Sequence, residues 1–483
     1  MYLGIDLGTS GVKALLIDEA QNVISAASAS LQVSHPFDGG SEQNPQDWID
    51  ATRAAIAKLT YNSDANLGLV RGIGLSGQMH GATVLDRTGT PLRPAILWND
   101  IRSYAQARKL DENPVFREIT GNIVFPGFTA PKLLWLKTHE PELFQKIAMV
   151  LLPKDYLRLW LTGECVSDMS DASGTSWLDV GQRKWSEPLL SACHLSTDQM
   201  PSLVEGTEVS GFLRGSIATE LGLPAGIPVA GGAGDNAASA VGLGTTASGH
   251  GFASLGTSGV VFAANDQFSP APESAVHAFC HALPNLWHQM GVVLSAGDSL
   301  SWLSKALGTN TAVLLDELGR NLAPPSKTMF LPYLSGERTP HNDAEIRGAF
   351  LGLSQMSTPL DMTQAVLEGV AFAFRDSVEA LKQTGTQLEN LSVVGGGSKS
   401  NYWVELLATV LNQPCNLHAE SEIGAALGAA RLGMIAAENA DPLDVCKPPP
   451  VVRQIIPNAS LHAAFNETYQ LYRNTYPALK GIK

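Results

Sequence analysis

Positive charge is the first thing this chain lacks. Its 32 Lys and Arg stand against 46 Asp and Glu, a net charge of −14, and the basic residues form no cluster. Binding to a phosphate backbone needs such a footprint, so the balance argues against a nucleic-acid partner, and an anionic ligand has to be held by local groups. Cysteine is scarce as well: Cys165, Cys193, Cys280, Cys415 and Cys446 form no CxxC or CxxxC pair. That spacing suits neither a zinc knuckle nor a disulfide framework, and it predicts reduced thiols in a cytoplasmic protein. No uncharged apolar run has the length to span a bilayer, and the opening MYLGID places a carboxylate where a signal peptide carries its apolar stretch. Neither secretion nor membrane insertion is expected.

What the chain does have is apolar material: 44% hydrophobic against 16% charged residues, over 483 positions. That length exceeds what one hydrophobic core supports, so two domains are expected. The hexapeptide LGTSGV occurs at residues 7–12 and again at 255–260, a domain's length apart. Around the first copy, YLGID, VKALLID and VISAASASL read as three strands of a meander with Gly-rich punctuation. GFASLG, SGVVFAAN and WHQMGVVLS repeat that theme around the second. Helical stretches such as PQDWIDATRAAIAKL and DSLSWLSKAL alternate with the strands, which indicates α/β domains. The divisions expected are 1–245, 246–445, and a Pro-rich connector with a terminal helix at 446–483. DMTQAVLEGVAFAFRDSVEALK reads as a buried helix, and Gly424 and Gly428 share a helix face suited to close packing.

A Gly-Thr-Ser-Gly turn between strands gathers backbone N–H groups and hydroxyls, here Thr9 and Ser10 and then Gly256 and Thr257, into a cradle for phosphate. Two copies facing one cleft can grip a polyphosphate from both sides. Only the first copy is preceded by an acid: Asp6 stands where the second has Ser254. A carboxylate beside a triphosphate is tolerated when a divalent cation lies between them, so Asp6 is expected to hold Mg²⁺ through water. Lys13 either reaches a phosphate or is a solvated strand lysine. In IPVAGGAGDNAASAVGLG, a Gly/Ala approach ends at Asp235 and Asn236 at a helix start. Asp235 is either a simple cap or a general base that takes the proton of an alcohol during phosphoryl transfer. VVGGGSKSNYW brings Gly396 and Gly397 to a helix N-terminus, where backbone can lie flat against adenine or ribose with Ser398 and Asn401 as polar edges.

Taken together, these motifs resemble those of the FGGY carbohydrate kinases. GIDLGTSGVK is similar to the first phosphate motif, GFTAPKLLWLKTHE and GAFLGLSQMSTPLDMTQAVLEG to the two family signatures, and LGTSG and GGGSKSNYW to the second phosphate and adenosine motifs. The likeness covers nearly the whole chain. It implies an α/β fold of two RNase H-like domains flanking a catalytic cleft, as in the actin, hexokinase and Hsp70 ATPase superfamily. Within the family, SGQMHGATVLD, RPAILWNDIRS and LPKDYLRLWLTGE are most similar to members acting on a ketopentose. That likeness implies ATP and D-xylulose as substrates, Mg²⁺ as metal, and a homodimer as an allowed assembly. It also implies substrate contacts at Met79 and His80, the proton acceptor at Asp235, an activity-critical carboxylate at Asp6, and Asn236, Trp98, Asn99 and Asp100 lining the sugar pocket.

Glycerol kinases carry an Arg-Glu pair where this chain has Gln78, Met79 and His80, which argues against glycerol. Without the resemblance, His80 would read as a core histidine, and Glu337, Arg338 and His341 read as parts of a structured loop. Two alternatives stay open: a sister kinase for another ketose, polyol or aldonate, and an actin- or Hsp70-like ATPase without sugar kinase activity. A kinase of this design has to exclude water, so cleft closure is expected.

Overall fold

The computed structural model describes residues 1–61, 65–419 and 424–482. Tyr2–Leu7 (β1), Gly11–Ile17 (β2) and Val23–Ser30 (β3) form the expected antiparallel meander. Gly72–Gly77 (β4) pairs parallel to β1, and Pro228–Ala230 (β5) pairs parallel to β4. The second half repeats this plan. His250–Leu255 (β6), Gly259–Asn265 (β7) and Trp287–Val293 (β8) make a meander, while Asn390–Val394 (β9) and Cys415–His418 (β10) continue in parallel from β6. The repeated hexapeptide is thus the turn of two equivalent hairpins, β1–β2 and β6–β7.

The helices fall where the apolar spacing places them. Pro45–Lys58 (α1) starts on the side chain of Asn44, with Pro at its first position and Trp48, Ile49, Ala55 and Ile56 buried. Pro153–Thr162 (α2) precedes the second half, in which Gly297–Ala306 (α4), Pro359–Gln383 (α5) and Asn401–Leu411 (α6) cover the sheet.

The two sheets are joined by an exchange of helices. Asp235–Leu243 (α3) follows β5 of the first sheet, yet its Ala237, Ala238 and Val241 pack with Phe252, Phe262 and Met290 of the second. Gly424–Glu438 (α7) lies beyond β10 in the chain, yet its Ala426 and Ala430 pack with Tyr2, Leu15 and Ile17 of the first sheet. The helices touch each other through backbone: a Cβ added at Gly428 would stand 1.8 Å from the carbonyl oxygen of Ala238. The glycine stripe of α7 therefore serves close packing, as its spacing predicts.

The Pro-rich stretch leads into an edge strand, Val451–Ile455, paired antiparallel with β10. The terminal helix Ala459–Leu479 (α8) is built into the second core, with Tyr469 bonded to Asp376 at 2.6 Å and Tyr472 to Tyr333 at 3.0 Å. Among the described residues, no helix is long and apolar enough to cross a membrane.

Candidate active site in the cleft between the sheets

Strand register places the two acids. Asp6 on β1 is the neighbour of Ser76 on β4, and the short strand Ala233–Gly234 pairs with Ser76 and Gly77 on the other side. Asp235 follows directly as the first residue of α3. Ser76 Oγ donates to Asp6 Oδ1 at 2.9 Å. Burial raises the Asp6 carboxyl, against the opposing effects of the Ser76 bond and the Lys13 charge. Asp235 is pushed up to about 6, first by burial and then by the charge of Asp6, while bonds from Asn236 oppose the shift. Those bonds come from the Asn236 backbone N–H at 2.8 Å and its Nδ2 at 3.1 Å, so Asn236 orients the acid beside it.

A cavity of 410 Å³ opens in front of Asp6, lined also by Lys13, Ser239, Ser254, Gly395 and Gly396. Asp6 and Lys13 are cross-strand partners in the first hairpin, and Ser254 comes from the second. The unlike residues of the repeat thus meet in one space. Through Gly396 it adjoins a larger cavity of 1080 Å³ lined by Gly256, Thr257, Gly297, Gly397, Ser400 and Asn401, among others. Gly297 N donates to Gly256 O at 2.8 Å, which ties the second hairpin to the start of α4. Asn401 lines this cavity and accepts from Arg453 at 2.7 Å. Ser398 does not line it: its hydroxyl turns back onto Gly395 O at 2.7 Å and closes the glycine turn.

The turn of the first hairpin bonds to side chains of the first domain. Thr9 Oγ1 donates to Gln78 Oε1 and accepts from Trp98 Nε1, both at 3.0 Å. Gln78 Nε2 donates to Gln43 Oε1 at 2.9 Å, and Gln43 Nε2 donates to Thr9 O at 2.8 Å. The Thr9 hydroxyl is therefore a joint between Trp98 and the segment leading to His80, whereas Ser10 beside it is exposed.

Met79 adjoins Asp235 through Gly234, whose added Cβ would lie 2.8 Å from Met79 Cγ, and His80 packs beside it on Gly174. His80 has a left-handed backbone, φ 69°. Its carbonyl accepts from Lys132 Nζ at 2.9 Å and Thr129 Oγ1 at 3.1 Å. Its ring stacks on Phe128 with centroids 4.6 Å apart, and Nδ1 lies 2.8 Å from Gly174 O. A carbonyl can only accept, so Nδ1 carries the proton and Nε2 is left as an acceptor. Burial, reinforced by the Lys132 charge, pushes the ring down to about 3, so it stays neutral.

Asp100 departs from expectation. It is fully buried, and its oxygens accept from Ser41 N at 2.7 Å, Arg102 N and Nε at 2.9 Å and Arg102 Nη2 at 2.7 Å. Those bonds engage both carboxylate oxygens and make it the anchor of its loop. Asn99 is exposed beside Trp98, which is 47% exposed.

Lys132, Ser76 and Gln43 support the site without having been singled out by their motifs. Only Lys132 left a signal, a lysine on the apolar stretch Thr129–His139, where it is fully buried. Among the described residues, no group of three or more His, Cys, Asp or Glu is arranged to hold a metal.

The chain matches the N-terminal domain of the FGGY family of carbohydrate kinases over residues 1–242 and its C-terminal domain over 251–437. It belongs to the FGGY family of carbohydrate kinases. Among FGGY relatives, it is 46% identical over 482 residues to a xylulose kinase of Escherichia coli, covering 99% of each chain. It is 44% identical to a xylulose kinase of Klebsiella pneumoniae, covering 100% of both. A crystal structure described as a xyloylose kinase from Brucella ovis superposes with a TM-score of 0.98 at 59% identity, covering 100% of both chains. As an FGGY chain, the protein has the two-domain α/β fold of the actin-like ATPases and is a sugar kinase.

Proposed function

We propose that this protein transfers the γ-phosphoryl group of ATP to the 5-hydroxyl of D-xylulose, giving D-xylulose 5-phosphate and ADP. One observation carries the reading. Helix α3 begins at Asp235, beside Gly234 and Met79, and its Ser239 lines the cavity of Asp6, Lys13 and Ser254. An acceptor hydroxyl at Asp235 is thereby adjacent to a space suited to phosphates. Similarity to xylulose kinases over the full length supports the choice of sugar.

In this reading, residues 1–245 hold the sugar and residues 246–445, closed by 446–483, hold the nucleotide. Adenosine lies over Gly396 and Gly397 near Asn401, and the phosphates extend past Gly256 and Thr257 toward Lys13. Phosphoryl transfer asks the protein mainly to position groups in line and to spread charge. Asp235, near 6, is mostly ionised at neutral pH and accepts the proton of the 5-hydroxyl. His80 accepts a sugar hydroxyl at Nε2, and Met79 walls the pocket.

The donor set fits Mg²⁺: Asp6 fronts the 410 Å³ cavity with one oxygen bonded to Ser76, and Mg²⁺ is held by one or two carboxylates with water and phosphates completing its shell. When bound, the ion neutralises charge on the phosphoryl oxygens. Closure of the domains removes water from the cleft. The free thiols at all five cysteines accord with a cytoplasmic enzyme.

The test is ADP release with D-xylulose, glycerol, D-gluconate and xylitol in parallel. D-xylulose should give the highest kcat/KM, by about tenfold or more, as expected of a site built to pair with a substrate's polar groups. A higher value for another acceptor, or turnover independent of sugar, would overturn the assignment.

A further inference from the structure

Arg338 is a cation whose guanidinium meets aromatic rings and makes no ion pair. It belongs to a loop fastened to the end of β8: Val292 N donates to Thr339 Oγ1, and Leu294 N to Glu337 Oε1, both at 3.0 Å. The guanidinium carbon lies 4.1 Å from the centroid of Phe125, and Nη1 lies 3.4 Å from His277 Nε2. Among the described residues, no carboxylate forms an ion pair with Arg338. The acid beside it, Glu337, is pushed up to about 8 by burial and is therefore mostly neutral at pH 7.

Its surroundings lead to the sugar pocket. Phe125 and His277 both pack on Phe128, at 5.5 and 5.7 Å between centroids, and Phe128 stacks on His80. Phe125, Phe128 and His80 belong to the first family domain, whereas His277 and Arg338 belong to the second. The guanidinium thus reaches across the cleft into a nest of rings whose far side is a sugar-binding residue. A desolvated cation that makes no ion pair is costly to the fold, and a ligand that brings acceptors offsets the cost.

We infer that Arg338 is a substrate-binding residue that donates to the carbonyl end of the open-chain ketose, opposite the hydroxyl served by Asp235. The inference rests on the D-xylulose reading. Gly234, next to Asp235, meets Met79; His80 follows Met79 in the chain; and Phe128 and Phe125 continue the contacts from His80 to Arg338. Guanidinium can only donate, and the ketone oxygen is the one oxygen of the open-chain sugar that can only accept. A polyol hydroxyl in that place can also accept, but its own proton needs a second acceptor that the guanidinium does not supply, so Arg338 favours a ketose over the corresponding polyol.

The experiment compares the full-length protein with R338M and R338K, measuring rates on D-xylulose and xylitol, the KM for ATP, and melting temperature. R338M should raise the KM for D-xylulose by about 30-fold and reduce the preference for D-xylulose over xylitol by about tenfold, as loss of charge-assisted bonds predicts. Its KM for ATP should stay within about twofold, and its melting temperature should not fall, because no ion pair is broken. R338K, which keeps the charge and loses the fork, should lie between. An R338M enzyme with an unchanged ketose preference would overturn the inference, as would one that loses ATP affinity and stability along with sugar turnover. A wild-type protein inert toward D-xylulose would instead overturn the substrate reading on which it rests.

Discussion

Asp6 and Ser254 hold equivalent places in the two hairpins and line the same cavity. One cleft built from a duplicated hairpin thus receives a single acid. On the proposed reading, a second carboxylate there would repel the triphosphate, and none at all would leave Mg²⁺ without a protein anchor.

Asp6→Asn should raise the Mg²⁺ concentration for half-maximal activity by about tenfold or more, the scale of losing a partner that orients metal-bound water. Excess Mg²⁺ should restore part of the rate. Ser254→Asp should raise the KM for ATP by about tenfold, equivalent to about 1.4 kcal/mol of added repulsion. Initial rates across a Mg²⁺ series check both, and an unshifted Mg²⁺ requirement in Asp6→Asn contradicts the assignment.

The pH dependence follows from Asp235, raised from its ordinary 3.8 to about 6. The base works only when ionised, so turnover should be full above that value and fall as pH drops through it, with a midpoint near 6. A profile of kcat/KM for D-xylulose between pH 5 and 8 is the check. Flat activity down to pH 5 would mean that no such base limits the rate.

Thr9 and Thr257 are equivalent in sequence and unlike in surroundings. Thr257 lines the 1080 Å³ cavity, whereas Thr9 joins Gln78 to Trp98. Thr257→Val should raise the KM for ATP alone. Thr9→Val unties Gln78 from Trp98, and it should raise the KM for the sugar by roughly 5- to 10-fold, the loss of about one hydrogen bond to positioned groups. Equal effects on ATP from both substitutions would show that both hydroxyls face phosphate.

Gly428 faces the carbonyl of Ala238 where α7 crosses α3. Gly428→Ala should destabilise the protein by about 1–3 kcal/mol through overpacking. Thermal melting should report the loss, and unchanged stability would mean that the helices separate freely.

Local pattern carried much of this site. β-branched runs around Gly-Thr-Ser-Gly disclose the hairpins, and a Gly/Ala approach marks Asp235, because both features arise from residues adjacent in the chain. Asp100 reads as a pocket residue because it follows Trp98 and Asn99, yet its partners include Ser41 N, which only folding brings near. The direction of Ser398 is equally hidden: its hydroxyl closes the turn that its neighbouring glycines create. The spacing of Gly424 and Gly428 reveals a close contact but not its partner, and the exchange of α3 and α7 between sheets has no local signature.

If Asp235 takes the proton from the sugar as the phosphoryl group arrives, Asp235→Asn removes the base and leaves the pocket in place. Asparagine keeps the shape of the side chain but cannot act as the base. Turnover and D-xylulose affinity, the latter by calorimetry, should be measured on the same preparation. Sugar binding should be near normal, with turnover lower by roughly 10²–10⁴. Retention of more than about a tenth of wild-type turnover would contradict that role for Asp235.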